Sequence, residues 1–181
     1  MNLAFLILIM LIGYGVAFFF ILRALLVGIS FSHGDVPYVP IDRSEMILAI
    51  KALNLSKGDR FVDIGSGDGR VVVYVAKKYP EIECVGVELN SLLILWSRFI
   101  AWVLRLNNVK FIRADALEFE VSSFNKLFIY LTLDLVTPLV SRMLLELKPG
   151  SLVVSCLFGF GGIVQNGVES VGRKGTELWR V

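Results

Sequence analysis

The residues of this chain with the clearest chemical meaning run Phe61-Val62-Asp63-Ile64-Gly65-Ser66-Gly67-Asp68-Gly69-Arg70. An apolar stretch enters a turn with glycine at alternate positions, and a helical pattern starts behind it. Glycines there let the backbone approach a ligand closely and take dihedrals that other residues avoid. Asp63 and Asp68 bracket the loop. A pyrophosphate is held by backbone N–H groups and positive potential, so two carboxylates beside it would be counterproductive. No Gly-Lys-Ser/Thr follows, which excludes a P-loop. The loop is suited to a nucleoside that carries positive charge.

S-adenosylmethionine is such a ligand, with a sulfonium, an ammonium and no phosphate. Two further acids fit it. Glu88, in Val85-Gly86-Val87-Glu88-Leu89-Asn90, ends the second expected strand about 20 residues after the loop, where a doubly wound fold places an acid over the ribose. The competing reading is an exposed acid at a strand end. Asp115, in Arg113-Ala114-Asp115-Ala116, follows the third expected strand. Its carboxylate suits the adenine amino group and the Ala116 N–H a ring nitrogen, while a helix N-cap is the competing reading. The expected cofactor contacts are therefore Asp63, Gly65, Ser66, Gly67, Asp68, Gly69, Glu88, Leu89, Asp115 and Ala116.

These residues need strands to carry them, and the chain alternates strand and helix in the manner of a parallel sheet. Asp42 reads as an N-cap with Glu45 completing a capping box, and the following helix places Met46, Ile47, Ile50 and Leu53 on one face. Strands are expected at 60–64, 84–87, 109–113, 126–131 and 151–158, with helices at 71–78, 92–106 and 135–147. The glycine-rich tail fits a hairpin of two short closing strands. The fold class is α/β, a Rossmann-like, doubly wound, mostly parallel sheet.

The pattern resembles the class I methyltransferases, and within them the membrane-anchored protein-lysine methyltransferases related to the enzymes acting on the ATP synthase c subunit and the adenine nucleotide translocase. The residues that carry the resemblance are Val36-Pro37-Tyr38-Val39-Pro40, the loop 63–70, Gly86-Val87-Glu88-Leu89-Asn90, and Leu147-Lys148-Pro149-Gly150. It implies methyl transfer to a lysine, with Tyr38 and Tyr130 lining the substrate pocket; packing is the competing role for each tyrosine. The substrate side departs from prokaryotic relatives. Ile129-Tyr130-Leu131-Thr132-Leu133 lacks the proline of their Leu-Tyr-Leu-Leu-Pro, and Ser155-Cys156-Leu157-Phe158 stands where they often have Ser-His-Asp-Phe. No Asn-Pro-Pro-Tyr signature of amide or adenine N-methyltransferases occurs.

Composition adds the setting. Hydrophobic residues make up 56% of the 181, with mean hydropathy +0.73. The excess is concentrated between Leu3 and Leu22, where no charged residue occurs. At ~1.5 Å per residue that run covers about the 30 Å of a bilayer's hydrocarbon core. A signal peptide would want a basic n-region and a small-residue cleavage site, and a core helix would need more domain than is available to cover it. The expected organisation is an anchor at 1–29, a linker at 30–41 and a catalytic domain at 42–181. Arg23 and Arg43 follow the run, so the positive-inside rule places the domain in the cytoplasm, on a single-pass membrane protein.

A net charge of +2 with scattered basic residues gives no nucleic-acid footprint. One histidine, His33, and two cysteines in apolar runs exclude a multi-histidine metal site and favour buried thiols, so no metal is expected. The expected acceptor is a protein lysine near the membrane. Methylation of a lipid or quinone, and a cofactor-binding scaffold without catalysis, are the alternatives.

Overall fold

A computed structural model describes residues 2–32, 39–160, 162–164, 166–172 and 175–181, with backbone alone for 22–32. Tyr38 and His33 lie outside the described residues. Two compact units are present, Met1–Val39 and Pro40–Val181.

The first unit is one helix, α1 (Leu3–Ser32). Its stretch Leu3–Ile21 has mean hydropathy 2.7 with none of it buried, so by length and composition it could cross a membrane. Apolar side chains cover it on every side, which a lone helix in water would not sustain.

The second unit is built on a seven-stranded sheet of order β3-β2-β1-β4-β5-β7-β6. The strands are β1 (Arg60–Ile64), β2 (Glu83–Glu88), β3 (Val109–Arg113), β4 (Lys126–Ile129), β5 (Leu152–Ser155), β6 (Val168–Ser170) and β7 (Glu177–Arg180). The first five pair in parallel, and β7 runs antiparallel between β5 and β6. Helices α2 (Arg43–Ala52), α3 (Arg70–Lys78), α4 (Ser91–Val103) and α5 (Leu133–Glu146) complete it.

Strand side chains alternate between two cores, as a period of two requires. Phe61, Cys84, Phe111, Phe128 and Val154 pack with α2, α3 and α4. Val62, Val85, Leu127 and Val153 point the other way, against Val136, Leu139, Val140 and Met143 of α5. Both faces are covered, so the central strands are apolar on both sides.

Element ends differ from expectation for local reasons. α4 stops at Val103 because Arg105 takes a left-handed backbone (φ 53). Arg105 N–H then donates to Trp102 O and Leu106 N–H to Ala101 O, a Schellman closure. α5 starts early, at Leu133, since Thr132 O accepts from the N–H groups of both Leu135 and Val136. β5 ends at Ser155, not Phe158, because Leu157 has φ 78 and turns the chain out of the sheet. Asp42 caps α2 by accepting from Ser44 and Glu45 N–H. The carboxylate of Glu45, expected to close a capping box, accepts instead from Thr176 Oγ1 at 2.8 Å.

Candidate functional site

The expected site residues converge on the carboxyl ends of adjacent strands. Asp63 sits in β1, Glu88 ends β2, and Asp115 follows β3. The chain crosses from β2 on one side of β1 to β4 on the other, so the glycine loop lies at a topological switch point.

The loop is held by its neighbours. Gly65 and Ser66 N–H both donate to Val87 O, at 2.9 and 2.8 Å. Gly65, Gly67 and Gly69 all have positive φ, of 78, 54 and 77°. A Cβ on Gly65 would stand 2.5 Å from Leu131, and one on Gly69 2.8 Å from Phe111. A side chain at either position would carry left-handed strain, and it would displace Leu131 at Gly65 or press on Phe111 and Ser97 at Gly69.

Glu88 is pinned on both oxygens. Oε2 accepts from Gly67 N–H and Oε1 from Asn90 N–H, each at 2.9 Å. Each oxygen keeps a lone pair, so the carboxylate stays competent to accept two hydroxyls. Leu89 beside it is exposed, and its carbonyl accepts from Arg113 Nε at 3.1 Å. Asp68 forms a two-point ion pair with Arg70, at 2.9 and 2.8 Å, which offsets its charge. Asp115 Oδ1 accepts from Leu117 N–H at 2.8 Å, the cap that the sequence offered as its competing role. The residue is exposed, and Ala116 is half-buried next to it.

Asp63 is the exception to good pairing. It is 2% exposed, and its Oδ2 has no hydrogen-bond partner among the described residues. Burial, then the charges of Glu88 and Asp68, push its carboxyl well above the usual carboxylate range. A buried oxygen left without a partner asks for a missing donor. An ammonium, or a water bound by one, meets that need, and a phosphate would not. The Ser66 hydroxyl is likewise buried and unpartnered. Together the orphaned acid, the twin acceptors of Glu88 and the glycine cradle fit S-adenosylmethionine.

Tyr130 follows β4 and is half-buried at the same end of the sheet. Burial, then the charges of Glu45 and Cys156, raise its phenol. Burial pushes the Cys156 thiol up to about 12, with Glu45 adding to it. Cys84 reaches about 12 by burial as well, and both thiols are free. Leu157 and Phe158 present exposed apolar side chains just beyond β5. Glu45 is therefore a residue that sequence reasoning missed. Its partner Thr176 is 131 positions away, and no local pattern announces that contact.

Residues 63–166 match the ANTKMT methyltransferase domain. The mouse lysine N-methyltransferase of the ATP synthase c subunit is 32% identical over 127 residues, covering 69% of this chain and 50% of that protein. A protein-lysine N-methyltransferase of Saccharolobus islandicus is 29% identical over 131 residues, covering 70% and 80%. An RNA methyltransferase from Salinibacter ruber, solved with S-adenosyl-L-homocysteine, superposes with a TM-score of 0.70 at 25% identity, over 78% of this chain and 93% of that one. The chain spans about half the length of the vertebrate relatives that it matches. With a glycine loop and strand-end acids that fit S-adenosylmethionine, this chain belongs to the ANTKMT methyltransferase family.

Proposed function

We propose that this protein transfers methyl groups to a lysine side chain of a protein held at or near a membrane, to which α1 anchors it with the catalytic unit on the cytoplasmic side. Similarity to two named lysine methyltransferases across 69–70% of the chain is the observation that carries the reading. The family match over residues 63–166 takes in every strand-end acid.

Bound S-adenosylmethionine supplies an electrophilic methyl group on a sulfonium. The residues of this chain do the rest by placement, since such a displacement needs alignment more than a dedicated acid or base. Glu88 would take the ribose hydroxyls, Asp63 the ammonium, and Asp115 with Ala116 the adenine edge, while Gly65, Gly67 and Gly69 make room for the ligand. Ser66 and Leu89 flank it, and Asp68 with Arg70 stiffens the loop.

The acceptor amine must be neutral to react, and an unperturbed lysine has a pKa of about 10.4. Tyr130, Leu157 and Phe158 offer a desolvating rim, which lowers that value. Glu45, oriented by Thr176, would receive the incoming ammonium before it sheds its proton. Tyr38, which lies outside the described residues, would join this rim by family resemblance. The carboxylate of Glu45 suits a cationic acceptor and opposes the phosphates of RNA, which favours lysine over the substrate named for the Salinibacter neighbour.

Mass spectrometry of membrane proteins from cells with and without this gene tests the proposal, with one to three methyl groups expected on a lysine only when the gene is present. Tritium from labelled S-adenosylmethionine should stay with protein and be released by protease. Label that survives protease and extracts into organic solvent would replace the lysine reading with a lipid or quinone acceptor.

A further inference from the structure

We infer that α4 is a second membrane contact, lying in the headgroup region of an anionic bilayer. One face of α4 carries Leu93, Ile94, Ser97 and Ala101 into the core. The opposite face should then be polar. It is not. Leu95 is 60% exposed, Phe99 48% and Trp102 75%, with Val103 and Leu104 also exposed. Trp96, Phe99 and Trp102 form a ladder with ring centroids 6.1 Å apart at each step. A contiguous apolar stripe of this kind marks an interaction surface.

Charge identifies what covers it. An open groove of about 1100 Å³ runs between the end of α4 and the edge strand β3, lined by Arg98, Trp102, Arg105 and Lys110. Trp102 belongs to both groove and stripe. Arg98 donates to Phe111 O from Nε and Nη2, at 3.2 and 2.7 Å, and keeps its charge at the groove. Lys110 pairs with Glu83 at 2.9 Å, but Glu83 is shared with Arg60 at 3.0 Å. Arg105 has no ion pair among the described residues. The groove is cationic.

Tryptophan, phenylalanine and leucine beside arginine are what an interfacial helix uses. Rings and aliphatic groups enter the acyl boundary while guanidinium groups meet lipid phosphates. A second copy of this chain suits the face less well, because a two-fold pairing brings the same cations of both copies together. The span proposed for α1 belongs to the same chain, so a bilayer would be present at a raised local concentration around α4.

The inference rests on α1 as a membrane span and not on the identity of the methyl acceptor. The chain's own fluorescence tests it. Trp96, Trp102 and Trp179 are its three tryptophans, α1 has none, and Trp179 is buried. The full chain is reconstituted into phosphatidylcholine vesicles with a brominated lipid, with and without phosphatidylglycerol. Tryptophan quenching should appear with the anionic lipid, fade at high salt, and fall about twofold or more in L95S/F99S and in R105E. S-adenosylmethionine binding by the same samples should be unchanged, which separates lost docking from lost folding. Quenching that is absent, or indifferent to lipid charge and to both variants, overturns the inference. So does a stable dimer in detergent that L95S/F99S dissociates, or a single-stranded RNA whose binding R105E abolishes. Release of the chain from vesicles by alkaline carbonate would instead count against α1.

Discussion

Asp63 concentrates the electrostatic tension of the site. Burial, with the charges of Glu88 and Asp68, raises its carboxyl well above 3.8, so the charged form is disfavoured in the folded chain relative to the unfolded one. Its contribution to stability is complete below that ordinary value and is lost as pH climbs through the raised one. Asp63→Asn should therefore raise the melting temperature of the ligand-free protein at neutral pH, relative to wild type, and bring wild type and variant together near pH 4. The same variant should bind S-adenosylmethionine more weakly, because an ammonium beside the carboxylate stabilises the charged form that the protein alone disfavours. Calorimetry in buffers of different ionisation heat should detect proton release on binding to wild type and not to Asp63→Asn. Equal melting curves across pH would mean that Asp63 is not strained. Glu88 acts differently, since backbone donors already hold its carboxylate in place. Two charge-assisted bonds at about 1.5–3 kcal/mol each imply that Glu88→Ala weakens S-adenosylmethionine binding roughly a hundredfold or more. A titration showing less than a tenfold change would remove Glu88 from the ribose.

At the scale of elements, the glycine loop and the end of α4 make opposite predictions. Gly69 starts α3 with φ 77, and an added Cβ would meet Ser97 Oγ at 2.7 Å and Phe111 at 2.8 Å. Gly69→Ala should cost on the order of 2 kcal/mol or more of stability, from left-handed strain together with overpacking, and denaturant unfolding would measure it. Arg105 also has a left-handed backbone, but it is exposed and closes a Schellman turn that glycine favours. Arg105→Gly should gain about 1 kcal/mol, or about 2–4 °C in melting temperature. That an arginine occupies this position at such a cost agrees with its place at the cationic groove. Among the described residues Asn54 and Leu157 are the other non-glycine residues with positive φ, and Leu157, at φ 78, turns the chain out of the sheet after β5.

For the whole molecule, the two units differ in what they bury. The unit from Pro40 to Val181 buries apolar residues on both faces of its sheet, as a water-soluble fold does. Leu3–Ile21 buries nothing. Transfer of such a helix from water to hydrocarbon is favourable at roughly 25 cal/mol per Å² of apolar surface, far beyond what a peripheral contact supplies. The full chain should therefore stay with membranes through alkaline carbonate washing and leave only with detergent. Recovery in the soluble fraction would exclude the anchor. An anchored enzyme meets membrane-bound acceptors at a raised local concentration, so its rate on them should exceed its rate on the same lysine in a free peptide.

The sequence by itself was enough to determine the nature of the cofactor and the class of the fold. Both are written in short-range patterns: glycines two apart, acids at or just past the ends of β1, β2 and β3, and apolar runs of strand length. Such signals are legible because the chemistry they serve is local to one loop or one strand. The tertiary structure alone decided three further matters. It left Asp63 Oδ2 without a partner, a property of what surrounds a residue and not of its neighbours in sequence. It set Glu45 against Thr176 across 131 positions, where a capping box had been the local expectation. It also turned the aromatic ladder of α4 outward, so that Leu95, Phe99 and Trp102 are exposed beside Arg98 and Arg105. Which face of an element meets the sheet is settled by packing between distant segments, and a helix apolar on both sides does not announce that choice.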